Sequence, residues 1–364
     1  MKKASLRKDA FLLSKMLKTT SDMTYRSLIS SIFCLTFIFV ILFYATLSYQ
    51  RNGLWKDAIL LWQNTVRKSP FKARPHNNLG KVYKEMDLLN DAMTEYKTAL
   101  SIDPTYYIAH NNLGVIYKEK GLFEQAITAY KIALSIKPDS YDVHNNVGVI
   151  YKEKGMLDEA ERIYRQLIKL YPSNYVAFLN LGELYVGKGL LGEAVKNLKM
   201  ALNLNPKNSV AHYNLGQAYF RMERLEEAEK AFTTALKLDP RYGFAHTGMG
   251  QIYMQKGFAD EAISEFRKAV ELGGADSATH YNLAVIYTKK EFWDEAVREY
   301  RAVLQKDPED CEALYGEANG LDKTGKKDEA IKHYQGFLET CGKNTQYSAI
   351  VNVVTARIEE IKKH

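Results

Sequence analysis

Six of the chain's eight histidines, His76, His110, His144, His212, His246 and His280, recur at steps of 34 or 68 residues. Imidazole is a common metal ligand, so a periodic set first suggests a row of metal centres. Distance argues against it. A unit repeated once per helix pair sets successive rings about 10 Å apart, whereas ligands of one zinc lie about 2 Å from the metal. The expected role is packing on the core face of a helix, with a ring nitrogen satisfied. Two residues on stands a second column: Asn78, Asn112, Asn146, Asn180, Asn214, Gly248, Asn282 and Gly316. A carboxamide both donates and accepts, so it can pair with the N–H and C=O of an extended peptide whatever its sequence. That makes Asn78, Asn112, Asn146, Asn180, Asn214 and Asn282 the candidate peptide-groove residues. The competing reading is a ladder in which each amide bonds a neighbouring repeat and only fixes the stack. Cys311 and Cys341 bracket the last repeat and could form a disulfide in an oxidising compartment; otherwise they are two small hydrophobes. No CxxC pair, phosphate-binding glycine loop, nucleophile–base pair or carboxylate dyad appears, so no catalytic group, metal or cofactor is expected.

The elements that must carry these columns follow from the period. Gly80, Gly114, Gly148, Gly182, Gly216 and Gly250 are 34 residues apart, and Ala284 and Ala318 continue the step. Twelve residues after each comes alanine, from Ala92 to Ala330, in all eight repeats. Tyrosine follows most of the glycines at +3, and six repeats close on proline, from Pro104 to Pro308. His110, Leu113/Gly114 and Tyr117 lie on one helical face, and Ala126, Tyr130 and Ala133 on that of a second helix. Acids open the second helix, as at Asp158-Glu159, where the helix dipole favours them. Gly121, Gly155, Gly189, Gly257 and Gly325 end the first helix, and the prolines stop the second. A glycine inside a helix costs about 0.5–1 kcal/mol, so the Gly114 column implies close approach of the second helix. Such a hairpin cannot bury its own apolar face and must stack on neighbours into a solenoid. Tyrosine, at 25 copies, is absorbed as core.

Spacing, small-residue columns, aromatics and terminal prolines together resemble the tetratricopeptide repeat. The resemblance implies an all-α fold, a right-handed superhelix with the first helices on its concave side and protein segments as ligands. It covers eight repeats over residues 73–344, with a partial repeat over 50–72 and a C-terminal capping helix over 345–364. The asparagine column is similar to that of O-GlcNAc-transferase-type repeat domains. A carboxylate clamp, known in some tetratricopeptide domains, is absent: its lysine position reads Asn77, Asn111, Asn145, Leu179, Tyr213, Thr247, Tyr281 and Tyr315.

Ahead of the repeats, Ser27 to Tyr49 runs 23 residues without a charge. As a helix it would span about 35 Å, enough for the hydrocarbon core of a bilayer. It is too long for the apolar region of a cleaved signal peptide, so a single membrane anchor is expected. Residues 1–26 hold seven Lys/Arg against two Asp, most of the chain's net charge of +7. The positive-inside rule makes them a cytoplasmic tail and places the repeats beyond the membrane, in periplasm or lumen. The remainder is nearly neutral, which argues against a nucleic-acid partner. No continuous apolar groove column emerges, which argues against small-molecule carriage. The junction from Arg51 to Gly80, with Trp55, Trp62, Pro70 and Arg74, resembles a segment of membrane O-mannosyltransferase-like proteins. In those it follows many membrane spans, which this chain lacks. The sequence therefore reads as an anchored, non-catalytic scaffold for protein segments, or alternatively as a non-catalytic component of a membrane glycosylation system that presents acceptors.

Overall fold

The computed structural model describes residues 39–47 and 58–363. Their secondary structure is helical throughout, and they fall into two units that meet between Val143 and His144. The first unit holds helical residues 58–68, then α1 (Ala73–Glu85), α2 (Leu89–Ile102), α3 (Tyr107–Glu119) and α4 (Phe123–Ile136), and opens α5 (Tyr141–Glu153). The second continues with α6 (Leu157–Leu170), α7 (Tyr175–Lys188), α8 (Leu191–Leu204), α9 (Ser209–Arg221) and α10 (Leu225–Leu238). It closes with α11 (Gly243–Gln255), α12 (Ala259–Glu271), α13 (Ser277–Lys289), α14 (Trp293–Leu304), α15 (Cys311–Lys323), α16 (Lys327–Cys341) and α17 (Ser348–Lys362). Odd-numbered helices up to α15 are the first of each pair.

The alanine column is the seam between the paired helices: all eight, Ala92 to Ala330, are fully buried. The glycine column explains how close the pair comes. A methyl placed on Gly114 would lie 2.5 Å from the Tyr130 ring, and one on Gly216 2.6 Å from Phe232. In six repeats the second helix thus lays an aromatic ring, or Leu198 in one of them, against bare backbone of the first. Burying such a ring outweighs the helix propensity lost at the glycine.

The hairpin turn is a complete Schellman motif. Gly121 donates to the Lys118 carbonyl at 2.9 Å and Leu122 to Tyr117 at 2.8 Å, and the Leu122 carbonyl then accepts the first bond of α4 from Ala126. The motif requires a left-handed residue, and Gly121 has φ 71°. Three repeats meet that requirement without glycine: Asp87, Glu223 and Glu291 occupy the same column at φ 61°, 59° and 60°. A side chain there is strained by about 1–2 kcal/mol. Glu223→Gly is therefore expected to raise stability by about 0.5–1 kcal/mol, because relieved strain exceeds the added unfolded-state entropy. Urea denaturation of the two proteins checks it.

No second helix carries a side-chain cap. Acids in the first turn, from Asp91 to Asp328-Glu329, supply the negative charge instead. First helices in four repeats are capped by Asn174, Asn208, Asp276 and Asp310, each accepting from a backbone N–H at 2.7–2.9 Å.

Within each unit, first helices of adjacent repeats touch one another (α1 with α3; α7 with α9 and α9 with α11). Among the described residues the second helices show no comparable contacts, so each unit bends toward its first-helix layer. The last repeat is stapled by a Cys311–Cys341 disulfide, Cα–Cα 5.9 Å. The expected capping helix is α17, introduced by a 3-10 turn at Thr345–Tyr347 and packed through Val354, Ile358 and Ile361.

Most of the expected membrane span lies outside the described residues. Of it, residues 39–47 are helical and exposed at every position. Among the described residues no helix is long and apolar enough to cross a membrane.

Candidate functional site

The first-helix layer is where the candidate residues gather. In the first unit Asn112 Nδ2 donates to Asn77 Oδ1 of the preceding repeat at 2.9 Å. Asn77 Nδ2 reaches Asn78 Oδ1 at 3.4 Å, and Asn111 Nδ2 reaches Asn112 Oδ1 at 3.5 Å. The paired asparagines of the motif HNN thus form a directional zigzag of amides, with the strong bonds between repeats and the weak ones within them. In the second unit Asn180 Nδ2 donates to Asn145 Oδ1 at 2.7 Å, by the same geometry. Asn78, Asn112, Asn146, Asn180 and Asn282 are half-buried, and Asn214 is 7% exposed.

The two glycines of the column show what this position faces. Methyls on Gly248 and Gly316 would lie 2.6 Å from Phe232 and 2.4 Å from Tyr300, aromatics of the preceding repeat. In these two repeats the position faces the joint with the previous repeat. Each asparagine is half in the wall and half in the joint. Neither role excludes the other, because one amide bond leaves further donor and acceptor capacity on the same group.

Farther along the second unit the wall changes character. Where Asn145 stands, later repeats carry Leu179, Tyr213, Thr247, Tyr281 and Tyr315. Tyr213, Tyr242 and Phe244 form a cluster with ring centroids 5.3–6.1 Å apart. Phe244 is 48% exposed, and Val210 on the preceding first helix also faces solvent. Burial, with Asp276 adding, pushes the Tyr213 phenol up to about 12, and burial likewise raises Tyr242. Both stay protonated at physiological pH and can donate a hydrogen bond.

The histidine column is satisfied in a way its spacing encodes. His110 Nε2 bonds the Pro104 carbonyl at 2.9 Å, His212 that of Pro206 at 3.0 Å, and His76 and His246 those of Pro70 and Pro240 at 3.1 Å. In each case the proline lies six residues upstream, so ring and turn form one unit that fixes the entry to the first helix. Nδ1 of His76, His246 and His280 lies 2.6–2.7 Å from Glu95, Glu265 and Glu299 on the following second helix. Among the described residues no group of His, Cys, Asp or Glu is placed to hold a metal.

In the last repeat Glu317 stands in an otherwise apolar column and is 2% exposed. Its carboxylate accepts from Arg301 Nε at 2.6 Å and meets His333 Nδ1 at 3.1 Å. Asp322 is held similarly by two bonds from Arg357 of α17, at 2.7 and 3.0 Å. These carboxylates hold helices together: Glu317 ties α15 to α14 and α16, and Asp322 ties α15 to α17.

Known proteins resemble this chain in fold and repeat. TPR repeat models match residues 89–121 and 115–155. A model described as the C-terminal domain of cilia and flagella-associated protein 70 matches residues 139–315. Among solved structures, the Cut9–Hcn1 hetero-tetramer of the APC/C is 17% identical with TM-score 0.57, over 80% of this chain and 57% of that one. A tetratricopeptide repeat protein from Parabacteroides merdae is 19% identical with TM-score 0.55, over 64% and 92%. PilF of Pseudomonas aeruginosa is 22% identical with TM-score 0.50, over 57% and 93%. At such identities the likeness is one of fold. No curated protein matches. Repeat models and architecture agree: the chain is a tetratricopeptide repeat protein, an all-α solenoid of helix pairs.

Proposed function

We propose that this chain is a membrane-anchored scaffold that holds extended protein segments along its first-helix layer. The observation that carries this reading is the amide zigzag. Asn112–Asn77 and Asn180–Asn145 bring carboxamides of adjacent repeats within 2.9 and 2.7 Å, so remaining donors and acceptors line up at the step of the stack. Such a row pairs with peptide backbone irrespective of side chains, as the similarity to O-GlcNAc-transferase-type repeats implies. The exposed Phe244 and its cluster with Tyr213 and Tyr242 supply a place for an apolar side chain of the same segment.

Anchoring rests on the uncharged run from Ser27 to Tyr49. A location beyond the membrane is supported by the Cys311–Cys341 bond, since structural disulfides persist in oxidising compartments. A second reading, favoured by the junction from Arg51 to Gly80, is a non-catalytic component that presents acceptors to a many-span glycosyltransferase. A many-span enzyme co-purifying stoichiometrically with the chain would support it.

Asn112→Ala combined with Asn180→Ala tests the scaffold. Each change removes one inter-repeat amide bond, costing about 1 kcal/mol of stability. Partner protein co-purified with the full chain is expected to fall more than tenfold while the fold persists by circular dichroism. Undiminished capture would remove the amides from the function.

A further inference from the structure

The first described turn breaks a rule that the other turns obey. Phe71 is 87% exposed. At 34-residue steps the corresponding turn positions read Thr105, Asp139, Ser173, Lys207, Arg241, Ala275 and Glu309, none of them large and apolar. The surroundings are cationic: Arg67, Lys68, Lys72 and Arg74 are all exposed, and none pairs with a carboxylate among the described residues. From Ala58 to Lys84 the sequence contains six Lys/Arg and no Asp or Glu. The near-neutrality of the repeats taken together hides this run.

We infer that this end of the solenoid is an interfacial membrane contact: Phe71 enters the headgroup layer while Arg67, Lys68, Lys72 and Arg74 engage anionic phospholipids. An exposed aromatic flanked by unpaired cations is the composition of a peripheral lipid contact. Chain continuity selects lipid over a soluble polyanion. Only ten residues separate the helical residues 58–68, which carry Arg67 and Lys68, from residues 39–47, an apolar helical stretch exposed at every position. The inference rests on the anchored reading and deepens it: the solenoid meets the bilayer at the edge where its first helices begin. It also accounts for cations on the far side of the span, where the positive-inside rule does not place them.

The test uses the full chain reconstituted in phosphatidylcholine vesicles with and without phosphatidylglycerol, bearing the photo-reactive substitution Phe71→benzoylphenylalanine. Leu122, 41% exposed at the opposite end of the helices, takes the same substitution as control. Lipid adducts are expected at position 71 and not at 122. Adding Arg67→Glu, Lys72→Glu and Arg74→Glu should cut the yield in anionic vesicles about fivefold or more. Should the chain resist an alkaline wash while position 71 gives no lipid adduct, or no more than 122, the contact is refuted and the anchor stands. A chain washed off the vesicles refutes the anchor, and the contact with it. A protein adduct at position 71 in cells, in place of lipid, would overturn the contact alone.

Discussion

Arg301→Met is expected to destabilise the last repeat by about 3 kcal/mol, although Arg301 itself is half exposed. The cost arises at its partner. Glu317 is 2% exposed and receives its shortest bond, 2.6 Å, from Arg301 Nε. Without the guanidinium, the buried carboxylate keeps only His333. Breaking a buried pair from one side leaves a charge whose desolvation is uncompensated, a loss of about 3–5 kcal/mol. The exposure of Arg301 puts this case at the low end. The double change Arg301→Met with Glu317→Met should recover most of the loss, because it removes the charge together with its partner. Hydrogen exchange resolved by repeat measures both. Equal losses in the single and double variants would mean that packing, not charge, holds this column.

The second large effect is that of the disulfide. Cys341→Ser opens a loop closed across a separation of 30 residues and is expected to cost about 3–4 kcal/mol in the chain-entropy treatment. Cys341 is 1% exposed within the cluster that joins α16 to α17, so frayed ends of α15 and α16 should release the cap as well. Protection of α15 to α17 against exchange should fall together, with α7 to α10 unchanged. A loss spread evenly over the second unit would show that the repeats unfold as one block.

How far the sequence disclosed this molecule depended on whether a residue's partner lay at a fixed step. The alanine seam and the ring-on-glycine contacts, such as Tyr130 on Gly114, were legible because both partners repeat every 34 residues. So were the Schellman glycines. Asp87, Glu223 and Glu291 were not, because an acid does not announce a left-handed backbone; their column, shared with Gly121, was the available signal. The histidines were expected to be satisfied, and the carbonyl that satisfies them was readable too, since a proline precedes His76, His110, His212 and His246 by six residues. Glu317 departs from an otherwise apolar column, but its partners Arg301 and His333 belong to different helices, and only packing brings them together. The asparagines were assigned to the wall from helical rotation together with the tetratricopeptide resemblance, which implies that first helices line the concave side. Their bonds to the preceding repeat depend on how closely first helices stack, which periodicity does not give. The basic run before Glu85, with Arg67, Lys68, Lys72 and Arg74, softens the charge asymmetry across the expected span, and a charge summed over the repeats hides that no acid accompanies it.

The central claim is that partner segments lie along the first-helix layer. It is tested most directly by a photo-crosslinking amino acid placed in living cells at Asn180, on that layer, or at Met200, which is 41% exposed on a second helix. The account predicts a discrete protein adduct from position 180 and none from position 200. Adducts from 200 alone would place the partner on the opposite layer and contradict it.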